Sequence, residues 1–119
     1  VLLTERRRLA ENYSAMLASI PGVELPVVTP SGEHSWQTYS IRVDHRDAVM
    51  QKMRAQGVEV QIGTYALHHH PAYKAPACRL CGSYPGSSAA FARTLALPLY
   101  YGMTQDEQEF VLATLKACL

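Results

Sequence analysis

One stretch limits the possible folds more than any other: a strand that follows a helix directly and ends in a cluster of polar side chains. Residues 58–62 alternate apolar and polar side chains, the period of a half-buried strand, and Gly63 breaks the alternation. The ligand-capable residues that follow are Thr64, Tyr65, His68, His69, His70, Tyr73 and Lys74. Because a rigid strand positions groups and a loop presents them, this stretch predicts one wall of a polar site.

The patterns on either side of this strand predict alternating helices and strands. The first half predicts an amphipathic helix over 4–19, an edge strand over 23–28, a strand over 34–43 and a helix that Asp44 caps and Gly57 closes. The strand 58–62 and an irregular segment over 71–86 follow. The last part predicts a helix capped by Ser87 or Ser88, a strand over 95–99 that Pro98 places at an edge or ends, and a terminal helix that begins with a Thr104–Glu107 capping box. No glycine-rich phosphate loop interrupts the pattern. The prediction is an α+β fold, a small, mostly antiparallel sheet packed against helices on one face.

Composition places the chain among ordinary globular domains. With 119 residues, of which 48% are hydrophobic, it is long enough for one domain, 1–119, with its own core. The net charge of +1 gives no overall field to attract nucleic acid or an anionic membrane, so we expect neither partner. The basic run 6–8 is expected to face solvent or a missing neighbour. No apolar run reaches the roughly 20 residues of a membrane span, and we expect a cytoplasmic protein that is a fragment, since its first helix begins almost at once.

The cysteines leave a zinc site open as an alternative. Cys78 and Cys81 have the spacing of half a zinc site, and the histidine run 68–70 lies just upstream. Consecutive histidines do not match the separated pairs of a closed structural site, so no metal ligand is assigned. A redox pair would need a strand-to-helix position that this loop lacks.

No set of residues in this chain forms a self-sufficient catalytic machinery. Three consecutive histidines cannot all face one way, and His68 is the candidate for a pocket because Ala66 and Leu67 can anchor it. Lys52 and Lys116 lie on polar helix faces and Lys74 lies in a loop, whereas a Schiff-base lysine needs a desolvated pocket. We therefore assign no catalytic residue.

Several motifs together resemble one enzyme family. They are Arg7-Arg8-x-x-Ala-x-x-Tyr13, Pro21-Gly-Val-x-Leu-Pro26, His34-Ser-Trp-x-x-Tyr39-x-Ile-Arg42, Arg46-Asp47, Gly57-Val58, Gly63-Thr-Tyr-Ala-Leu-His68, Pro71-x-Tyr73, Leu95-x-Leu-Pro98 and Thr104. In this order, over nearly the whole chain, they resemble the C-terminal part of the DegT/DnrJ/StrS sugar aminotransferases. These are fold-type-I pyridoxal-phosphate (PLP) enzymes that act on nucleotide-linked keto sugars.

The resemblance implies a small domain separated from its large one. In the family, the large PLP-binding domain carries the Schiff-base lysine and the aspartate on the pyridine nitrogen, and it would lie upstream of Val1. The resemblance therefore implies PLP in the intact parent, with none expected bound to this chain alone, which we expect to be inactive by itself. It also implies a homodimeric parent in nucleotide sugar biosynthesis, in which this domain forms the substrate-side wall of the cleft.

The same resemblance implies substrate-binding residues. Thr64 and Tyr65 stand where the family has a His-Tyr pair, and His68 stands at a later histidine. His34, Trp36 and Tyr39, on the neighbouring strand, are the next candidates to line the cleft.

Two alternatives belong to other functional classes. One is a free-standing module that binds a small ligand or a protein through the surface that once faced the large domain, which an exposed apolar patch would indicate. The other is an interaction domain stabilised by zinc at Cys78, Cys81 and one or two histidines, which bound metal would indicate.

Overall fold

The computed structural model describes residues 1–74 and 79–119. Its helices are α1 (Leu2–Leu17), α2 (Arg46–Ala55), α3 (Pro85–Arg93) and α4 (Gln105–Cys118), and its strands are β1 (Val23–Glu24), β2 (Tyr39–Val43), β3 (Gln61–Ile62) and β4 (Thr94–Leu97). Two 3₁₀ turns, Leu67–His69 and Pro71–Lys74, follow β3. The chain thus alternates helix and strand as its periodicity predicts.

The four strands form one antiparallel sheet in the order β1-β2-β4-β3. Tyr39 lies opposite Leu97, and Ile62 lies opposite Leu95. The predicted α+β class is confirmed. Strand β4 ends at Leu97, directly before Pro98. Proline has no backbone N–H to donate, but it lies outside the strand, so β4 pairs with β2 on one side and with β3 on the other.

The core lies on one face of this sheet. Alternate residues of β2 and β4 point into it and are buried, and α1, α2 and α4 cover them with Leu9, Tyr13, Leu17, Val49, Met53, Val111 and Leu115. Helix α3 contributes no buried residue. Helix α3, which borders the predicted polar loop, is therefore not anchored in the core.

The predicted capping box at the start of α4 is confirmed. The Glu107 backbone N–H donates to Thr104 Oγ1 at 3.2 Å, and the Thr104 N–H donates to Glu107 Oε2 at 2.8 Å. This exchange satisfies two donors that the first turn of the helix leaves unpaired.

The other two predicted N-terminal caps are wrong, whereas Gly57, with a left-handed φ of 84°, closes α2 as predicted. Helix α2 begins after His45, whose φ of 52° is left-handed, and the Asp44 carboxylate pairs with Arg93 at 3.1 Å instead of capping. Helix α3 begins after Tyr84, with Pro85 at its first position. Proline is favoured there because its missing N–H is one that the helix leaves unpaired anyway, and Ser87 and Ser88 consequently lie inside the helix.

All four strands are shorter than predicted, and β4 is Thr94–Leu97 instead of 95–99. Residues 34–38 and 58–60 are unpaired, although Val58 and Val60 are buried as their alternation predicts. Strand β1 ends before Pro26. Apolar alternation predicts burial in these segments and does not specify where a pairing partner is available. Within the described ranges, no helix is long and apolar enough to cross a membrane.

Candidate functional site

Five of the six predicted substrate-binding residues fall into two separate groups of side chains. His34, Trp36 and Tyr39 join Tyr13 in what we call the aromatic stack. Tyr65 and His68 belong to a second group, the histidine cluster, which comprises Tyr65, His68, His69, Tyr84, Ser88 and Phe91. Thr64 precedes this cluster in the chain and contacts Thr94 instead.

The aromatic stack runs from the core to the surface. The Tyr13 and Tyr39 ring centroids are 5.1 Å apart, those of Tyr39 and Trp36 are 5.6 Å apart, and those of Trp36 and His34 are 4.2 Å apart. Tyr13 and Tyr39 are fully buried, Trp36 is half-buried and His34 is exposed. Burial removes water from the Tyr39 hydroxyl and raises its pKa, although a 2.8 Å hydrogen bond with Ser14 Oγ opposes the rise.

The outer end of the stack is held by its backbone. Trp36 has a left-handed φ of 51°, which is costly for a bulky residue. Arg6 Nη1 donates to the carbonyl oxygens of Trp36 at 2.8 Å and Gln37 at 2.9 Å, and the Trp36 N–H donates to His34 Nδ1 at 2.8 Å. Arg6, one member of the basic run that the sequence predicts to face solvent or a missing neighbour, thus fixes this turn.

Beyond β3, a glycine lets the chain pass close to the sheet. A Cβ on Gly63 would lie 2.8 Å from Thr94 Cβ and 2.9 Å from Ser40 Oγ, so no larger side chain fits there without a shift. The Thr64 N–H then donates to Thr94 Oγ1 at 3.1 Å. This contact ties the start of the polar loop to β4 and leaves Thr64 exposed.

The histidine cluster is organised around one hydroxyl. Ser88 Oγ lies 2.9 Å from His68 Nε2 and 3.2 Å from His69 Nε2. The His68 ring lies 5.0 Å from the Tyr84 ring, and the Phe91 ring lies 5.6 Å from His69. The loop after β3 is therefore joined to α3 and its N-terminal flank at Tyr84, Ser88 and Phe91, across about two helix turns.

A cavity of about 370 Å³ opens beside this cluster, and Tyr65, Leu67, His68, Leu80, Tyr84 and Ser87 line it. Its walls combine aromatic faces with an imidazole and a hydroxyl, the composition of a small-ligand site. No residue of the aromatic stack lines it. Partial burial, followed by the nearby His69 and Lys74, lowers the pKa of His68, which favours the neutral imidazole.

Sequence reasoning missed the residues that support this cavity. Ser88 and Tyr84 come from the far side of the loop, and Phe91 lies beneath Tyr65 and His69. Arg46, which is 2% exposed, places its guanidinium 5.5 Å from the Phe91 ring centre and donates to the Thr94 carbonyl at 2.7 Å. In the sequence, Arg46 stands out only as part of the Arg46-Asp47 motif, and that motif does not predict a contact with Phe91.

Other candidate groups lie apart from the cavity. His70 packs against Tyr73, with ring centroids 6.1 Å apart. In residues 1–74 and 79–119 no group of three or more His, Cys, Asp or Glu side chains could hold a metal ion. Cys78, half of the proposed zinc pair, lies outside the described residues, and Cys81 is exposed.

The three lysines of the sequence all lie within the described residues, and all are exposed. Lys52 Nζ donates to the Cys118 carbonyl at 3.2 Å. None occupies the desolvated pocket that a Schiff-base lysine needs.

Comparisons with known proteins identify relatives along almost the whole chain. The model of the DegT/DnrJ/EryC1/StrS aminotransferase family matches residues 1–116. The dTDP-4-dehydro-2,3,6-trideoxy-D-glucose 4-aminotransferase of Saccharopolyspora spinosa is 32% identical over 88% of this chain and 27% of its own length. The spore coat polysaccharide biosynthesis protein SpsC of Bacillus subtilis (strain 168) is 30% identical over 93% of this chain and 30% of its own length.

A solved structure shares the fold. The aminotransferase TlmJ from Streptoalloteichus hindustanus superimposes with a TM-score of 0.85 at 30% identity, covering 98% of this chain and 31% of that one. The chain spans about 30% of the length of the relatives that it matches.

Proposed function

Because the chain belongs to the DegT/DnrJ/EryC1/StrS aminotransferase family, we propose that it is the C-terminal small domain of a PLP-dependent enzyme that transfers an amino group to a nucleotide-linked keto sugar. The observation that carries the proposal is a family match over residues 1–116 in a chain that spans about 30% of its relatives. The name of the Saccharopolyspora spinosa relative, a 4-aminotransferase of a dTDP-linked dehydro sugar, supports the substrate class. A cytoplasmic homodimer is the assembly that we propose for the whole enzyme.

The described residues of this chain do not fit PLP. The family uses this cofactor, which supplies the electron sink for amino transfer when it is bound. A matching site needs a lysine in a desolvated pocket, yet Lys52, Lys74 and Lys116 are all exposed. We therefore assign cofactor binding to a large domain, and this chain alone is expected not to transaminate.

We assign the histidine cluster to the substrate-side wall of the cleft. Tyr65, which is 69% exposed, and Tyr84, which is 38% exposed, offer aromatic faces to the apolar faces of a sugar or base. His68 and Ser87 offer hydrogen-bonding groups beside them, and Thr64 lies exposed at the entry of the same loop. This combination fixes the orientation of a ligand through a few polar contacts on an apolar surface.

The aromatic stack is proposed to line the cleft through its outer end. Trp36 and His34 are accessible, whereas Tyr39 is fully buried with its hydroxyl on Ser14. In this assignment Tyr39 supports Trp36 from beneath and Trp36 meets the ligand.

The test compares this 119-residue chain with the protein encoded when the reading frame is extended upstream of Val1. We expect only the longer protein to bind PLP, seen as visible absorbance that borohydride fixes to the protein, and to aminate a dTDP-linked keto sugar. In it, His68→Ala should raise KM about tenfold through the loss of one substrate hydrogen bond. His70→Ala removes a histidine outside the cavity and is the matched control.

A different set of results would support a free-standing binding module. An apolar groove of about 670 Å³ lies between the segment that joins α2 to β3 and the first half of α4, with Val58, Pro98, Met103 and Val111 in its lining and Phe110 56% exposed. Such a surface suits contact with another protein or domain. If no PLP-binding domain precedes Val1, or if the short chain binds a ligand or zinc unaided, the aminotransferase proposal fails and the module replaces it.

A further inference from the structure

The Ser88 hydroxyl has one proton and two histidine neighbours. Its oxygen lies within hydrogen-bond distance of both His68 Nε2 and His69 Nε2. With both imidazoles neutral, Ser88 can donate to one ring and accept from the other, which gives the two rings opposite tautomers. The question is which ring receives the Ser88 proton.

The lengths of the two contacts answer it. Within the described residues the two ring nitrogens are the only hydrogen-bond partners of the half-buried Ser88 hydroxyl, so its proton goes to one of them. The contact with His68 Nε2, at 2.9 Å, is the shorter one, as expected where a hydroxyl donates. The contact with His69 Nε2, at 3.2 Å, has the length of a ring N–H that donates to the hydroxyl. Ser88 therefore donates to His68 Nε2, and the neutral His68 ring carries its own proton at Nδ1.

We propose that Ser88 is a positioning residue that holds His68 as the Nδ1–H tautomer, so that His68 donates a hydrogen bond to an acceptor oxygen of the ligand in the adjoining cavity. The ligand part of this statement rests on the function proposed above, with a sugar or phosphate oxygen as the acceptor. The tautomer part does not, because the hydrogen bond that one ring nitrogen makes sets the protonation of the other.

The position of Ser88 in the fold makes this role efficient. It lies in the first turns of α3, while His68 lies in the 3₁₀ turn that follows β3, so one hydroxyl fixes both the orientation and the tautomer of a ring from another element. Tyr84 packs on the same ring at 5.0 Å. Together these contacts leave the imidazole little freedom to rotate.

The first test is long-range ¹H–¹⁵N NMR of the imidazoles in the 119-residue chain, at a pH where His68 is neutral. We expect protonated Nδ1 and unprotonated Nε2 in the parent sequence and in Ser88→Thr, which keeps the hydroxyl. Ser88→Ala should give a mixture of tautomers at His68. Ser83→Ala removes another exposed hydroxyl, from the segment that precedes α3, and it should keep the parent pattern.

The second test measures steady-state kinetics in the longer protein with a dTDP-linked keto sugar. Ser88→Ala should raise KM several-fold, towards the value of His68→Ala, with a much smaller change in kcat, and Ser88→Thr should restore it. A merely structural role would change the amount of folded protein and leave KM unaltered.

Two results would overturn the proposal: an Nε2–H tautomer at His68 in the parent chain, or one tautomer pattern shared by the parent and Ser88→Ala. An altered tautomer with unchanged KM would refute the contact with ligand. If the longer protein has no transaminase activity, the proposed function fails, whereas the NMR result still decides the role of Ser88.

Discussion

The aromatic stack and the histidine cluster are both built from aromatic rings and imidazoles, but they are held in place by different forces. The stack begins in the core, where Tyr13 and Tyr39 are fully buried. The histidine cluster has no fully buried ring, and α3, which carries Ser88 and Phe91, has no buried residue at all. Hydrophobic burial fixes the inner end of the first group, whereas hydrogen bonds of Ser88 and Thr94 and the Phe91 ring fix the second. A ligand-binding wall that adapts to its ligand is expected to resemble the second.

The largest expected effect separates the two groups by stability. Tyr39→Ala removes a fully buried ring and its hydrogen bond to Ser14, so it should lower the free energy of unfolding by about 3–5 kcal/mol. Tyr65→Ala, at a 69% exposed ring, should change it by no more than about 0.5 kcal/mol. Urea denaturation of both variants measures the difference. Equal losses would show that the histidine cluster is part of the core.

Arg46 supports the histidine cluster through Phe91, and its removal should loosen that cluster and not the aromatic stack. Arg46→Met eliminates a charged hydrogen bond to the Thr94 carbonyl and the cation beside Phe91, at a cost of about 1.5–3 kcal/mol. Amide exchange should accelerate in α3 and not in β2.

The control for Arg46 is Arg42→Met. The Arg42 side chain is 48% exposed, and its partner Glu24 is 3.7 Å away. An exposed ion pair of this kind is worth at most about 1 kcal/mol. Acceleration of exchange in α3 by Arg42→Met as well would rule out a specific link through Phe91.

A smaller effect is expected at the outer end of the aromatic stack. Trp36 is the only tryptophan of the chain, so the fluorescence of the chain excited selectively at tryptophan reports this ring alone. Arg6→Met removes two hydrogen bonds to the turn and should shift the emission to longer wavelength as the ring becomes more hydrated. The loss of stability should be about 1 kcal/mol, because each of these bonds contributes little in net terms.

Arg7→Met tests whether this shift is specific. Arg7 is adjacent in sequence, and its one ion pair within the described part of the chain is with the exposed Glu33 carboxylate, at 3.5 Å. Its emission spectrum should match that of the parent chain. Identical shifts in the two variants would mean that charge, rather than the two carbonyl contacts of Arg6, controls the turn.

The comparison also explains which features the sequence predicts. Alternation in β2 predicts the burial of Tyr39, and the Thr104–Glu107 box predicts the start of α4, because both depend on neighbours along the chain. The central position of β4 depends on contacts between distant segments, which no local pattern records.

In the candidate site, too, the sequence predicts what depends on neighbours along the chain and misses contacts between distant segments. His68 could be selected as the first histidine after the strand, but its partner Ser88 lies 20 residues away, and a local reading of Ser88 favours a helix cap. Pro85 takes the first helical position and leaves that serine free for His68. Likewise Arg6 reads as part of a solvated basic run, while its carbonyl partners lie 30 and 31 residues further along.

The smallest expected effect concerns the charge of His68. Loss of hydration, then His69 and Lys74, lowers its pKa from the usual value of about 6.5. Between the lowered pKa and about 6.5 the unfolded chain binds more protons at this residue than the folded chain, so stability should decrease as pH falls through that window. Above it, His68 is neutral in both states and contributes nothing to the pH dependence.

Lys74→Met provides the means to measure this effect. Removing the lysine charge should move the pKa of His68 back towards its usual value and narrow the window, as followed by the ring proton shifts of His68 against pH. Lys116→Met removes one positive charge from the exposed face of α4 and should leave the titration of His68 unchanged. Equal shifts in both variants would assign the effect to net charge, and the histidine cluster would then lack the local electrostatics that distinguish it from the aromatic stack.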